Sequence, residues 1–100
     1  MEKKALFDLT EEIMTLFRGL RMGTVKVNYD NLLCAMKPDL SEEFSNIAEE
    51  VVLAVEFGIE VTKEQLQTLY DNLCAFAKEY GIKDANKIAE KIKPMLESND

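Results

Sequence analysis

Glutamates with a heptad spacing are the residues of this sequence that come nearest to a catalytic motif. Glu42, Glu49 and Glu56 recur every seven residues, and Glu43 and Glu50 stand beside two of them. Two buried carboxylates held close together can have raised pKa values and act as general acid and base. On a helix, however, these glutamates project away from the apolar residues of the same segment, so we predict that water solvates them.

The remaining reactive residue types are too few to form a site. Cys34 and Cys74 are separated by 40 residues, and the chain contains no histidine. This excludes histidine-based triads and metal sites, and the cysteine spacing is not a zinc motif. Because their neighbours are apolar, we expect both thiols to be reduced and to serve as small core residues. No glycine-rich phosphate loop is present, so the sequence predicts no enzyme, no metal and no cofactor.

Composition indicates one compact domain. Of the 100 residues, 47% are hydrophobic and 31% are charged, and the net charge is −7. Nucleic-acid binding depends on lysine and arginine neutralising phosphates, so an acidic chain is a poor candidate for it. Neither a secretory signal nor an apolar run long enough to span a bilayer is found. We therefore predict a cytoplasmic protein without membrane contact.

Apolar residues recur at spacings of three and four along nearly the whole chain, which predicts helices. The predicted segments are 4–21, a short helix over 29–37, one that begins near Asp39 or Ser41, one that begins at Thr62, and one that Asp84 caps. Short connections favour an all-α fold: a compact antiparallel bundle of four main helices plus one short helix. We expect a single domain over residues 1–97 and a frayed C-terminal end at 98–100.

Specific residues mark where these predicted helices end and begin. Phe57-Gly58-Ile59 and Tyr80-Gly81-Ile82 have the form of glycine stops flanked by apolar residues, and Gly23 is placed to end the first helix. Thr62 and Gln65 have the spacing of a capping box, in which each side chain accepts from the other residue's amide.

An internal similarity suggests a duplicated helical hairpin. Tyr29-Asp30-Asn31-Leu32 recurs as Tyr70-Asp71-Asn72-Leu73, and Ile47-Ala48-Glu49 matches Ile88-Ala89-Glu90 at the same offset. Two hairpins packed about a pseudo-twofold axis would explain the match. Chance resemblance between amphipathic helices that share a small alphabet is the other explanation, and both interpretations stay open.

Apolar residues outside the main stripes indicate candidate binding surfaces. Phe7 and Met14 lie one heptad apart, beside the central seam of the first helix. Either that helix is central in the bundle, or this flank meets another molecule. Leu53 points almost opposite the core and lies among glutamates. It is either an ordinary exposed leucine or an apolar anchor for a basic partner.

Charge is distributed unevenly between helices. The segment from Glu42 to Glu56 has five glutamates and no basic residue, whereas lysines predominate around the last helix. The acidic and basic helices can attract each other between two chains or within one chain, or their charged side chains can simply be solvated.

The combined prediction is a non-enzymatic, acidic protein-binding module. It would act as a regulator, inhibitor or immunity-type protein on a protein partner, either a basic protein or a second copy in a homodimer. In size and helix count the chain resembles small helical immunity proteins and phage-encoded inhibitors, which is an analogy of fold alone. The candidate partner-binding residues are Phe7, Met14, Glu42, Glu49, Leu53 and Glu56.

A nucleic-acid-binding regulator is the alternative, with a degenerate helix-turn-helix around residues 47–78. Ala54 and Gly58 have the separation that the motif requires of its first helix and turn. Glu64, however, occupies a position where the motif normally buries an apolar side chain.

Overall fold

A computed structural model describes residues 3–28 and 39–97, which form four helices and no strand. The helices are α1 (Lys3–Met22), α2 (Leu40–Glu56), α3 (Lys63–Tyr80) and α4 (Lys83–Glu97). They confirm four of the five predicted helices. The short helix predicted over 29–37 and the frayed end predicted at 98–100 lie outside the described residues.

The helices pack as a four-helix bundle. Helix α1 packs on α2 and α4, and α3 packs on the same two helices. The start of α1 lies beside the end of α2, because Lys4 and Phe7 share a groove with Val55 and Ile59. The two helices are therefore antiparallel, and the predicted bundle is confirmed. None of the described helices is both long and apolar enough to cross a membrane.

One hydrophobic core joins all four helices, and it is built from the predicted apolar stripes. Burying a large aliphatic or aromatic side chain stabilises the fold by about 1.5–3 kcal/mol. The most deeply buried large side chains are Leu9, Ile13, Phe44, Leu66, Leu69, Leu73, Ile82 and Ile92. For all of these except Ile82, which lies between α3 and α4, the helical period predicted the burial, because a 3.6-residue repeat places such residues on one side of each helix.

The glycine stops have the geometry that ends a helix. Gly58 and Gly81 have φ angles of 71° and 63°, in the left-handed region where a side chain is strained. After Gly81, the amide of Ile82 donates to the carbonyl oxygen of Ala77 at 3.0 Å, as in a Schellman motif. Both predicted stops are confirmed.

The predicted capping box is also present. The Gln65 amide donates to Thr62 Oγ1 at 3.1 Å, and the Thr62 amide donates to Gln65 Oε1 at 2.9 Å. The same glutamine side chain donates through Nε2 to Glu50 Oε1 at 2.7 Å. Gln65 therefore caps α3 and ties its first turn to α2.

Of the two matches that make up the internal similarity, only the one between 47–49 and 88–90 lies wholly within the described residues. Ala48 and Ala89 are both buried, as are Val51 and Ile92. The segment 29–32, which would match 70–73, lies outside the described residues. The duplication stays a prediction.

A buried tyrosine, Tyr80, links the end of α3 to the start of α2. The Tyr80 hydroxyl donates to Glu43 Oε2 at 2.9 Å, and its ring meets Phe76 edge-on at 5.2 Å. Burial, together with this hydrogen bond, raises the pKa of Tyr80 from about 10 to about 12. The neutral hydroxyl is therefore the form that the folded state favours.

We expect Tyr80→Phe to lower the free energy of unfolding by about 1 kcal/mol near neutral pH, since one hydrogen bond is lost. In the wild type, the stabilising preference for the neutral hydroxyl is full below about pH 10, the pKa of an unfolded tyrosine. It is lost as the pH rises to about 12, the folded value. Urea unfolding followed by circular dichroism across this range should show a smaller alkaline loss in Tyr80→Phe. An unchanged alkaline loss would contradict the assignment.

Candidate interaction surface

The flank of α1 is exposed. Phe7 is 55% exposed and Met14 is 42% exposed, whereas Leu6, Leu9 and Ile13 on the adjoining side of the helix are in the core. A central helix would bury both groups of residues. Of the two interpretations offered for Phe7 and Met14, the one that places them in the core is therefore wrong.

The outer side of α2 presents one apolar residue among carboxylates. Leu53 is 41% exposed. Glu49 and Glu56, one turn to either side of it, are exposed as predicted, and their side chains make no hydrogen bond or ion pair with any described residue. Leu53 is thus an exposed apolar side chain between two carboxylates, those of Glu49 and Glu56, which have no partner among the described residues.

These two surfaces, inferred separately from the sequence, are one surface in the structure. Met14 lines a groove of about 190 Å³ together with Glu49 and Leu53. Phe7 and Met14 line a second groove, of about 730 Å³, with Glu56. Five of the six predicted residues are therefore neighbours on what we call the α1–α2 face. Glu42 is exposed on α2 but lines neither groove.

Sequence reasoning missed the part of this face that lies beyond the end of α2. A third groove, of about 690 Å³, runs between Lys4 and Phe7 on one side and Ile59 and Glu60 on the other. Ile59 is 63% exposed, and Phe57, one turn beyond Leu53, is 70% exposed. Ile59 extends the apolar surface of the α1–α2 face beyond the predicted residues, whereas Phe57 lines none of its three grooves.

The two glycine stops lead into different kinds of segment. Ile82 is buried and leads directly into α4, whereas Ile59 is exposed and Val61 takes the inward position. The signal that could have separated them is the position of the next cap. Thr62 begins α3 four residues after Gly58, which leaves room for an extended segment with alternating sides.

The charges of the α1–α2 face differ between its two helices. Lys3, Lys4 and Arg18 line its grooves from α1, together with Glu11. The charged residues that line these grooves from α2 and the segment after it are all glutamates, namely Glu49, Glu56 and Glu60. One edge of the face is therefore mainly basic, and the other is acidic.

The lysines of the last helix lie elsewhere. Lys91 Nζ contacts Glu12 Oε2 at 2.8 Å, which ties α4 to α1, and Lys87 Nζ lies 3.9 Å from Asp84 Oδ1. Neither ion pair includes a residue of α2. Among the described residues, Glu42, Glu49 and Glu56 therefore have no ion pair with these two lysines.

Reactive groups do not converge on this face. Among the described residues, no cluster of three or more acidic or cysteine side chains could hold a metal ion. Cys74 is half-buried against the core, and a hydrogen bond with its thiol raises the pKa of Tyr70. Cys34 lies outside the described residues.

The region of the alternative helix-turn-helix is described in full. Helices α2 and α3 are joined by residues 57–62, a connection of six residues. The turn of a helix-turn-helix has three or four. Glu64 is exposed in the first turn of α3, where its charge would face the phosphates of a nucleic acid.

Comparison with known proteins adds no relative. The sequence matches no protein-family model, and searches of the curated proteins and of the solved structures find no similar chain. The fold and the surface together define the class: a four-helix bundle with an apolar face left open between two neighbouring helices.

Proposed function

We propose that this protein is a non-enzymatic binding module whose α1–α2 face holds another protein. The observation that supports the proposal is the clustering of large apolar side chains in water. Phe7, Met14, Leu53, Phe57 and Ile59 are each more than 40% exposed, and four of these five line the connected grooves of this face.

Apolar side chains left in water are unfavourable, and a partner that covers them would recover this free energy. Each large apolar side chain transferred from water into an interface contributes up to about 1.5–3 kcal/mol. Single exposed apolar residues are common, but a contiguous group bordered by charges is typical of an interaction site. Aromatic residues and methionine are also the types that interfaces favour.

The surrounding charges define what the partner must offer. Glu49 and Glu56 border the apolar centre, so a partner with basic groups around a small apolar surface complements it. Acting by contact alone, the module would serve as a regulator, inhibitor or immunity-type protein. Its effect would come from occupying a surface of its partner.

Site-specific photo-crosslinking in the native cells tests this proposal. We expect p-benzoylphenylalanine at position 7 or 53 to form an adduct with a protein, because both are exposed apolar positions that line grooves of this face. The same probe at Lys87, an exposed position on α4, is the matched control and should form none. Equal adducts at all three positions, or none at 7 and 53, would refute a binding role for this face.

A further inference from the structure

We propose that the occupant of the α1–α2 face is a second copy of this chain, docked so that α1 of each copy lies over α2 of the other. This inference rests on the proposed function and names its partner. The observations that carry it are the size of the face and the arrangement of charge along its two edges.

The face is large enough for a small dimer interface. The 17 residues of α2 span about 26 Å, and two neighbouring helices are together roughly 20 Å wide. The flat footprint is thus roughly 500 Å², and side chains add to the accessible area. A standard interface takes about 800 Å² from each partner. A symmetric dimer therefore needs the whole of this face, both its apolar residues and its charged edges.

Two symmetric arrangements bring this face against itself while the helices of the two copies stay aligned along one direction. A twofold axis across the helices places α1 over α1 and α2 over α2. The basic edges would then face each other, with the Lys4 end of one α1 over the Arg18 end of the other. The rows of glutamates would also meet, so this arrangement joins like charges along both edges.

A twofold axis parallel to the helices places α1 over α2 of the other copy. The grooves show which residues lie at the same level along the bundle: Lys4 with Glu60, and Met14 with Glu49. Lys4 would then lie over Glu60 of the second copy, and Arg18, one turn beyond Met14, would lie near Glu49 of the second copy. One like-charge approach remains, because Glu11 and Glu56 line the same groove and would lie about one turn apart across the two copies.

Charge complementarity therefore selects the parallel axis. Apolar burial at the centre supplies affinity, and the charged edges select the register and orientation. The basic groups that the acidic row of α2 requires are supplied by α1 of the second copy.

Two charge-reversal variants test the arrangement. Lys4→Glu with Arg18→Glu makes the α1 edge acidic, and Glu49→Lys with Glu60→Lys makes the α2 edge basic. Sedimentation velocity over a wide concentration range should show a wild-type dimer. Each variant alone should associate about tenfold more weakly, since attraction becomes repulsion at two edges. Circular dichroism checks that each variant is folded.

Mixing the two variants is the decisive step. In a mixed dimer, the acidic α1 faces the basic α2 and the native α1 faces the native α2, so all pairs are opposite in charge. We expect the mixture to recover association close to that of the wild type. Contacts within one chain are unchanged by mixing, so recovery reports only contacts between chains.

Three results would overturn the inference: a wild type that stays monomeric, single variants that associate as well as the wild type, or a mixture that stays as weak as its components. A monomeric wild type that still crosslinks to a different protein through position 7 would overturn only the second copy as occupant. The proposed binding function fails only if the crosslinking also fails.

Discussion

Phe44→Ala is expected to lower the free energy of unfolding by about 3–5 kcal/mol, which is a large share of the stability of a domain of this size. Phe44 has 0% of its surface exposed, and its ring centroid lies 5.7 Å from that of Phe76. Truncation removes the apolar burial and leaves a cavity between α2 and α3. Urea unfolding followed by circular dichroism measures the loss.

Phe7→Ala is the matched control for this prediction. The same atoms are removed from a residue that is 55% exposed, so we expect a loss of about 1 kcal/mol or less. Equal losses for the two variants would mean that Phe7 belongs to the core. Phe7 would then no longer count among the exposed apolar residues of the α1–α2 face that a partner could cover.

Met14→Glu is expected to weaken self-association about 30-fold or more, equivalent to about 2 kcal/mol for a central interface residue. Met14 lines both grooves on which the predicted residues converge. A carboxylate there would lose water on docking and would lie beside Glu49. Because Met14 is 42% exposed in the single chain, the fold should tolerate the change, and sedimentation equilibrium reads the dissociation constant.

Met22→Glu provides the control in the same helix. Met22 is 76% exposed at the last residue of α1 and lines none of the three grooves of the α1–α2 face. We expect its dissociation constant to stay within about twofold of the wild type, as for rim substitutions. If both methionine variants weakened association equally, the effect would come from net charge and not from the face.

The bundle itself could be predicted from local patterns. Four helices, their glycine stops and the Thr62 capping box depend on residues within a few positions of one another, so the sequence contains their causes directly. The stripe of each helix is equally local, because Leu9 and Ile13, or Leu66 and Leu69, are brought together by the helical period alone.

The candidate site could be predicted only in part. The sequence identified Phe7 and Met14 as a flank, and Leu53 as a separate point among glutamates. It could not place them on one surface, because they belong to helices whose adjacency depends on the whole bundle. Nor could it separate Ile59 from Ile82, since both come directly after a glycine in the same local pattern.

The amino-acid sequence by itself determined which side of each helix is apolar and where each helix ends. Only the tertiary structure decided which apolar residues are covered, as Phe44 is, and which are left in water, as Phe7 is. The physical reason is that burial depends on what packs against a side chain. For α1, that includes α2, which begins at Leu40, after α1 has ended at Met22.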